Sequence, residues 1–344
     1  MDDTDRRLLS RLQMQIPIEP RPFEFIAKML GTDGGEILLR IRRLKDEGVI
    51  RQMSAIFDVK KFGYRSQLVA MSFMEELLDE GASIVNEHPG VVQSSKRDHL
   101  FNFWFTISLP ASESMTEHLK RLHVLSGSQR TLILPIVKMF KSSVEFERIE
   151  SQNTESQEQG TQSSLTSQEM AVIQKLHEDF PLSDEPYRDI ALQLNIDENI
   201  FMKMLESLRR RGYLKRIAPV LDKKTERLPQ EGLIVWRIPE ERREEVGIEL
   251  AHFQEVQSCF ERMAYPEFPF SIYTSVDSNT PESCERVAKQ MMHQIGDWRH
   301  LSLPSLKIYK RERLKLFSEN YEAWHKATEE QFERKAMVNA LKES

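Results

Sequence analysis

Leu134-Pro135-Ile136-Val137-Lys138-Met139-Phe140-Lys141 is answered later in the chain by Leu303-Pro304-Ser305-Leu306-Lys307-Ile308-Tyr309-Lys310. The Leu, the Pro and both Lys are kept, while Val137, Met139 and Phe140 give way to Leu306, Ile308 and Tyr309. Upstream, Gly48-Val49-Ile50-Arg51-Gln52-Met53-Ser54-Ala55-Ile56-Phe57-Asp58 returns as Gly212-Tyr213-Leu214-Lys215-Arg216-Ile217-Ala218-Pro219-Val220-Leu221-Asp222. The pairs Pro17/Pro181, Pro22/Pro186, Ile26/Ile190, Ala27/Ala191 and Leu44/Leu208 share that second offset. A repeat this long is no solenoid unit; it marks two related globular halves in one chain. The functional unit is therefore expected to be an intramolecular pseudo-dimer, with its site where the halves meet.

A chain of 344 residues can bury more than one core, and 40% hydrophobic with 30% charged residues suits a globular protein. No apolar run is long enough to span a membrane, and the start Met1-Asp2-Asp3 is unlike a basic and apolar leader. The expected location is the cytoplasm, with no membrane partner. Cys259 and Cys284, the two cysteines, lack the spacing of a zinc or redox pair. A net charge of −6 argues against diffuse nucleic-acid binding.

Each half opens with a helical triplet: Leu8, Leu9 and Leu12 on one face, Phe23 to Leu30 closed by Gly31, then Ile37, Leu38, Ile41 and Leu44 closed by Gly48. Val172 to His177, Pro186 to Leu194 and Asn199 to Arg211 repeat that order. Three short helices of this kind describe a winged helix-turn-helix. The period then shortens, with strands expected at 68–73, 101–107 and 138–146, a helix at 114–125, and counterparts at 233–238, 270–276, 281–292 and 305–317. The fold class is α+β: two tandem repeats, each a winged helix-turn-helix followed by a ferredoxin-like domain of β-α-β-β-α-β order. The expected boundaries are 1–62, 63–149, 169–228 and 229–318 for the four modules. Residues 150–168, with Leu165 as their one apolar member, read as a mobile linker. Residues 319–344 read as a charged helix docked through Tyr321, Trp324 and His325.

The same residues carry a family likeness. The two-module repeat resembles Lrp/AsnC regulators. Pro17-Ile18-Glu19-Pro20-Arg21-Pro22-Phe23, Arg40-Ile41-Arg42-Arg43-Leu44-Lys45 and Arg97-Asp98-His99-Leu100-Phe101-Asn102-Phe103-Trp104-Phe105-Thr106 are similar to the siroheme decarboxylase branch. Gly232-Leu233-Ile234-Val235-Trp236 and Tyr265-Pro266-Glu267-Phe268-Pro269-Phe270 resemble the partner subunit of that enzyme. The resemblance implies a lyase that removes carbon dioxide from two acetate side chains of siroheme, on a route to haem or haem d1. Siroheme is then the substrate and no dissociable cofactor is implied. A fused pair of subunits fits the pseudo-dimer, and further homodimerisation stays open. Where the family carries Ser-His-Asn-Tyr or Ser-His-Cys-Tyr ahead of an arginine, this chain has Val92-Gln93-Ser94-Ser95-Lys96-Arg97 and Gln257-Ser258-Cys259-Phe260-Glu261-Arg262. The histidine and the tyrosine of both motifs are absent.

A substrate rich in carboxylates needs fixed cations, and Arg offers a two-pronged donor. Arg97 and Arg262 hold equivalent places in the repeat, as do Lys138/Lys307 and Lys141/Lys310; Lys96 stands beside the first arginine. These are the candidate substrate-binding residues, with Trp104 as an apolar wall for the macrocycle. Loss of carbon dioxide leaves a carbanion that must be protonated, and His99 and Tyr265 are the candidate donors. A ligand for the siroheme iron would come from His99 or Cys259. Two other classes compete with the enzyme: a non-catalytic tetrapyrrole carrier or sensor, and a DNA-binding regulator. Sequence-specific DNA binding is not expected, because Asp33, Glu36, Asp197 and Glu198 sit where base-reading residues would lie.

Overall fold

The computed structural model describes residues 1–141, 165–221, 231–278, 280–317 and 320–343. The first half runs α1 (Asp3–Met14), α2 (Pro22–Leu30), α3 (Gly34–Asp46), β1 (Ile50–Phe57), β2 (Tyr64–Ser72), α4 (Leu78–Asn86), β3 (Val91–Lys96), β4 (Phe103–Pro110), α5 (Met115–Ser126), β5 (Arg130–Leu134) and β6 (Ile136–Lys141). The second runs α6 (Ser167–Leu176), α7 (Pro186–Gln193), α8 (Glu198–Arg210), β7 (Leu214–Leu221), β8 (Glu231–Trp236), α9 (Arg243–His252), β9 (Val256–Arg262), β10 (Ile272–Asp277), α10 (Pro281–Ile295), β11 (His300–Pro304), β12 (Lys307–Arg311) and α11 (Asn320–Glu343). Most of the expected linker, 150–164, lies outside the described residues; its end does not, and Thr166 caps α6 through a capping box with Glu169.

The elements group into two compact units, each drawing on both halves. One holds the helical triplets. Asp2 and Asp33 cap α1 and α3, Pro22 opens α2, and Gly31 closes it at φ 75°, a left-handed turn that a side chain would strain. The apolar stripes foreseen in the sequence are buried: Leu8, Leu12, Ile26, Ile37, Ile41 and Leu44. The strand after each third helix pairs with that of the other half, β1 antiparallel to β7, with Ser54 opposite Ala218. The basic residues of α3 are all engaged within the chain. Arg40 and Arg43 clamp the buried Asp5 at 2.8 and 2.6 Å, Arg42 donates to the Leu182 carbonyl at 3.0 Å, and Lys45 pairs with Asp179.

The other unit holds two five-stranded antiparallel sheets, ordered β12-β3-β4-β2-β5 and β11-β8-β10-β9-β6. Removing the outermost β12 and β6 leaves the ferredoxin-like strand order in each. The sequence expectation needs correction here. The fourth strand of each half is the short β5 or β11, and the Lys-bearing strand is a fifth that crosses to the other half's sheet. Proline causes the break: Pro135 separates β5 from β6 and Pro304 ends β11, and a residue without an N–H cannot continue a ladder.

Helices cover the outer faces. Val69, Phe103, Phe105 and Ile107 pack against α4, α5 and the Tyr321 and Trp324 rings of α11. Ile234, Trp236, Cys259 and Ile272 pack against α9 and α10. The inner faces share a third core of Ala70, Phe101, Trp104, Leu134, Val235, Phe268, Tyr273 and Leu303. The α11 helix is pinned by polar contacts as well. Tyr321 donates to the Ser108 carbonyl at 3.2 Å, and His325 Nε2 lies 3.3 Å from Nε2 of the buried His118.

Candidate functional site

A strand turns successive side chains to opposite faces, so Gln93 and Ser95 of β3, and Arg97 just past its end, share a face that Ser94 and Lys96 cannot. The same holds on β9 for Ser258, Phe260 and Arg262. Their neighbours on the next strands extend the surface: Trp104 lies opposite Ser95 and Thr106 opposite Gln93, while Tyr273 lies opposite Phe260 and Ser275 opposite Ser258. With Leu68 and Leu233 these residues line one cleft between the two sheets. Each half supplies the same positions, so the lining repeats with pseudo-twofold symmetry.

The arginines are built into the exchange of halves. Arg97 is 6% exposed and donates to the Leu303 carbonyl of the second half; Arg262 is 2% exposed and donates to the Leu134 carbonyl of the first at 2.6 Å. Aromatic rings flank both. The Arg97 guanidinium carbon lies 5.7 Å from the Trp104 ring centre, and that of Arg262 lies 5.4 and 5.6 Å from Phe260 and Tyr273. Buried cations beside ring faces and over apolar walls suit a flat, acidic ligand.

Arg97, Arg262 and Trp104 are thus brought together as the sequence suggests. The lysines are not. Lys138 pairs with Glu244 and Lys141 donates to the Phe253 carbonyl at 2.8 Å, at the start and end of α9. Lys307 pairs with Asp79 at 2.8 Å and Lys310 donates to the Asn86 carbonyl at 2.7 Å, at the start and end of α4. The repeated lysines therefore lash each crossing strand to a helix of the receiving half, on the face away from the cleft. Lys96 also points that way, paired with Glu75.

The proposed proton donors and iron ligands do not line the cleft either. The Nδ1 of His99 accepts from the Phe101 amide at 3.0 Å, so the neutral ring carries its proton on Nε2, and burial among Phe101 and Phe268 lowers its pKa. Tyr265 donates its hydroxyl proton to the Ile133 carbonyl at 2.6 Å. Cys259 is fully buried in the helix-side core, its Sγ 3.6 Å from the Gly247 carbonyl, and burial keeps the thiol protonated. Sequence reasoning missed Gln93, Ser95, Ser258, Phe260, Tyr273 and Ser275; counting in twos from each arginine finds the β3 and β9 members.

This architecture defines the class: two AsnC-like ligand-binding folds, each preceded by a helix-turn-helix module, closing on an arginine-lined cleft. The AsnC-like ligand binding domain model matches residues 61–141 and 229–310, and the siroheme decarboxylase NirDL-like HTH domain model matches 5–51 and 169–214. The chain is 30% identical over 325 residues to a siroheme decarboxylase of Hydrogenobacter thermophilus, covering 93% of this chain and 97% of the other. It is 38% identical over 146 residues to the siroheme decarboxylase alpha subunit of Nitratidesulfovibrio vulgaris, covering 42% and 82%. Two crystal structures of the siroheme decarboxylase NirDL superpose with TM-scores of 0.75 and 0.74 at 27% and 26% identity, covering 96% and 94% of this chain and 100% and 98% of those. The second of them is a co-complex with an iron-uroporphyrin III analogue. The chain belongs to the siroheme decarboxylase family.

Proposed function

We propose that this chain is a siroheme decarboxylase, converting two acetate side chains of siroheme to methyl groups with release of two carbon dioxide molecules. The observation that carries the reading is the cleft itself: buried Arg97 and Arg262, one from each half, facing a single space with aromatic walls. The iron-uroporphyrin analogue held by the related crystal structure supports a flat iron tetrapyrrole as the occupant.

The residues divide the work as follows. Arg97 and Arg262 hold substrate carboxylates by charge-assisted hydrogen bonds, and their fixed position orients the ring for reaction. Trp104, Phe260 and Leu233 cover the macrocycle and exclude water. A carboxylate pressed against such a wall is desolvated, which favours its departure as neutral carbon dioxide. The pairing of Arg40, Arg42, Arg43 and Lys45 within the chain engages the cations that α3 would otherwise turn to phosphate, which does not favour the regulator reading for the first half.

The test is anaerobic incubation of the purified chain with siroheme, followed by mass analysis of the tetrapyrrole. Loss of two carbon dioxide molecules per siroheme is expected; binding with no mass change would leave a tetrapyrrole carrier in place of the enzyme. Arg97→Ala and Arg262→Ala should each weaken siroheme binding by about 1.5–3 kcal/mol, the worth of a charge-assisted hydrogen bond. That is roughly a 10- to 150-fold rise in Kd.

A further inference from the structure

Among the described residues that line the cleft, the arginines serve to hold carboxylates, and the serine and threonine hydroxyls and the Gln93 amide are too weakly acidic to give up a proton. Trp104 has already committed its indole N–H, which donates to the Phe101 carbonyl at 2.7 Å. Tyr273 is different. It is 1% exposed, and its hydroxyl is buried with no hydrogen-bond partner among the described residues. An unsatisfied buried hydroxyl is destabilising, so a fold that keeps one calls for an explanation. The Arg262 guanidinium carbon, 5.6 Å from the ring centre, supplies a positive charge beside the phenol.

We propose that Tyr273 is the catalytic proton donor of this cleft. The assignment rests on the decarboxylase reading. The bond between the acetate methylene and its carboxylate breaks, carbon dioxide leaves, and the electron pair stays on the methylene carbon. The Tyr273 O–H bond then breaks and its proton forms the new C–H bond, giving the methyl group. Arg262 stabilises the phenolate until solvent reprotonates it, so no oxidant or reductant is consumed. Burial raises the pKa of Tyr273 above the usual phenol value, which keeps the proton in place until a carbanion, a far stronger base, appears. Trp104 holds the matching position of the other half and lacks an O–H, so the symmetric cleft carries a donor on one side.

The test is Tyr273→Phe in the full chain, with siroheme binding followed by absorbance and carbon dioxide release by mass analysis. Phe keeps the ring and removes the unsatisfied hydroxyl, so the melting temperature should hold or rise. Expected are a Kd within about twofold of wild type and a kcat reduced about 100-fold or more, the range of general-acid catalysis. A variant with wild-type kcat, or one that loses affinity while kcat holds, overturns the assignment and leaves the decarboxylase reading standing. A wild-type chain that binds siroheme and returns it unchanged overturns both.

Discussion

At the scale of single residues, the histidines beneath α11 show how hydrogen-bond partners decide chemistry. Glu113, His118 and His325 bring ligand atoms within 4.8 Å of one another, a spacing that invites a metal ion. The protons argue otherwise. The Gly90 amide donates to His88 Nδ1 at 2.9 Å, so neutral His88 carries its proton on Nε2 and donates it to His118 Nδ1 at 2.8 Å. His118 then holds its own proton on Nε2, which donates to Glu113 at 3.0 Å and is not free to bind metal. Burial holds the His88 pKa well below 6.5, helped by the nearby His118, Lys310 and His325. His325, which also faces Arg121, Glu113 and Glu329, is lowered too. The unfolded chain therefore binds more protons than the folded one once pH falls below about 6.5, and stability must drop from there downward. His88 alone contributes a slope of at most about 1.4 kcal/mol per pH unit. Carboxylates with lowered pKa, such as Glu185 and Glu285, start from 4.5 and act at lower pH. The urea midpoint should fall between pH 7 and 5, and His88→Gln should flatten that fall; an equal fall in the variant would assign it elsewhere.

At the scale of elements, the packing of α9 on β6 turns on one glycine. A methyl at Gly247 would collide with the Phe140 ring, which comes from the other half of the repeat. Helix propensity alone predicts that Gly247→Ala stabilises by about 1 kcal/mol, whereas overpacking costs about 1–3 kcal/mol. Because Phe140 is held by a strand lashed at Lys138 and Lys141, packing should win and the variant should unfold at lower urea. Phe140→Ala in the same chain should reverse the sign. This contact also marks the limit of what the sequence discloses. The helical triplets were legible from apolar spacing and Gly punctuation, and the arginine pair from the repeat. Strands β5 and β11 were hidden, because five residues ended by a Leu-Pro pair resemble the start of the longer Lys-bearing strand. The crossing of β6 and β12 was hidden for a deeper reason. Two strands of similar local pattern do not tell from sequence which sheet each joins. The lysines were placed at the ligand for that reason: a repeated spacing of cations serves a strand crossing as well as a ligand.

At the scale of the whole molecule, the crossing makes each cleft wall depend on both halves. The Arg97 guanidinium is anchored on the Leu303 carbonyl and Arg262 on that of Leu134, while β12 completes the sheet of β3 and β6 that of β9. A first half alone would leave β3 as an unprotected edge and would carry β6 with no sheet to join, an arrangement prone to association. The apolar inner face of the first sheet, with Ala70, Phe101, Trp104 and Leu134, would also lie open to water without the second half to cover it. Residues 1–149 and 150–344 expressed separately should therefore aggregate or form like-with-like dimers, with no siroheme bound at micromolar concentration. Expressed together as two chains, they should recover one heterodimer by size-exclusion chromatography and bind siroheme as the intact chain does. Recovery depends on the elements the second half lends to the first, so it should vanish in a pair whose second chain stops at Ser305 and lacks both β12 and α11. A first half that bound siroheme by itself, or a pair indifferent to that truncation, would show that the cleft belongs to one half and that the exchange is only a covering.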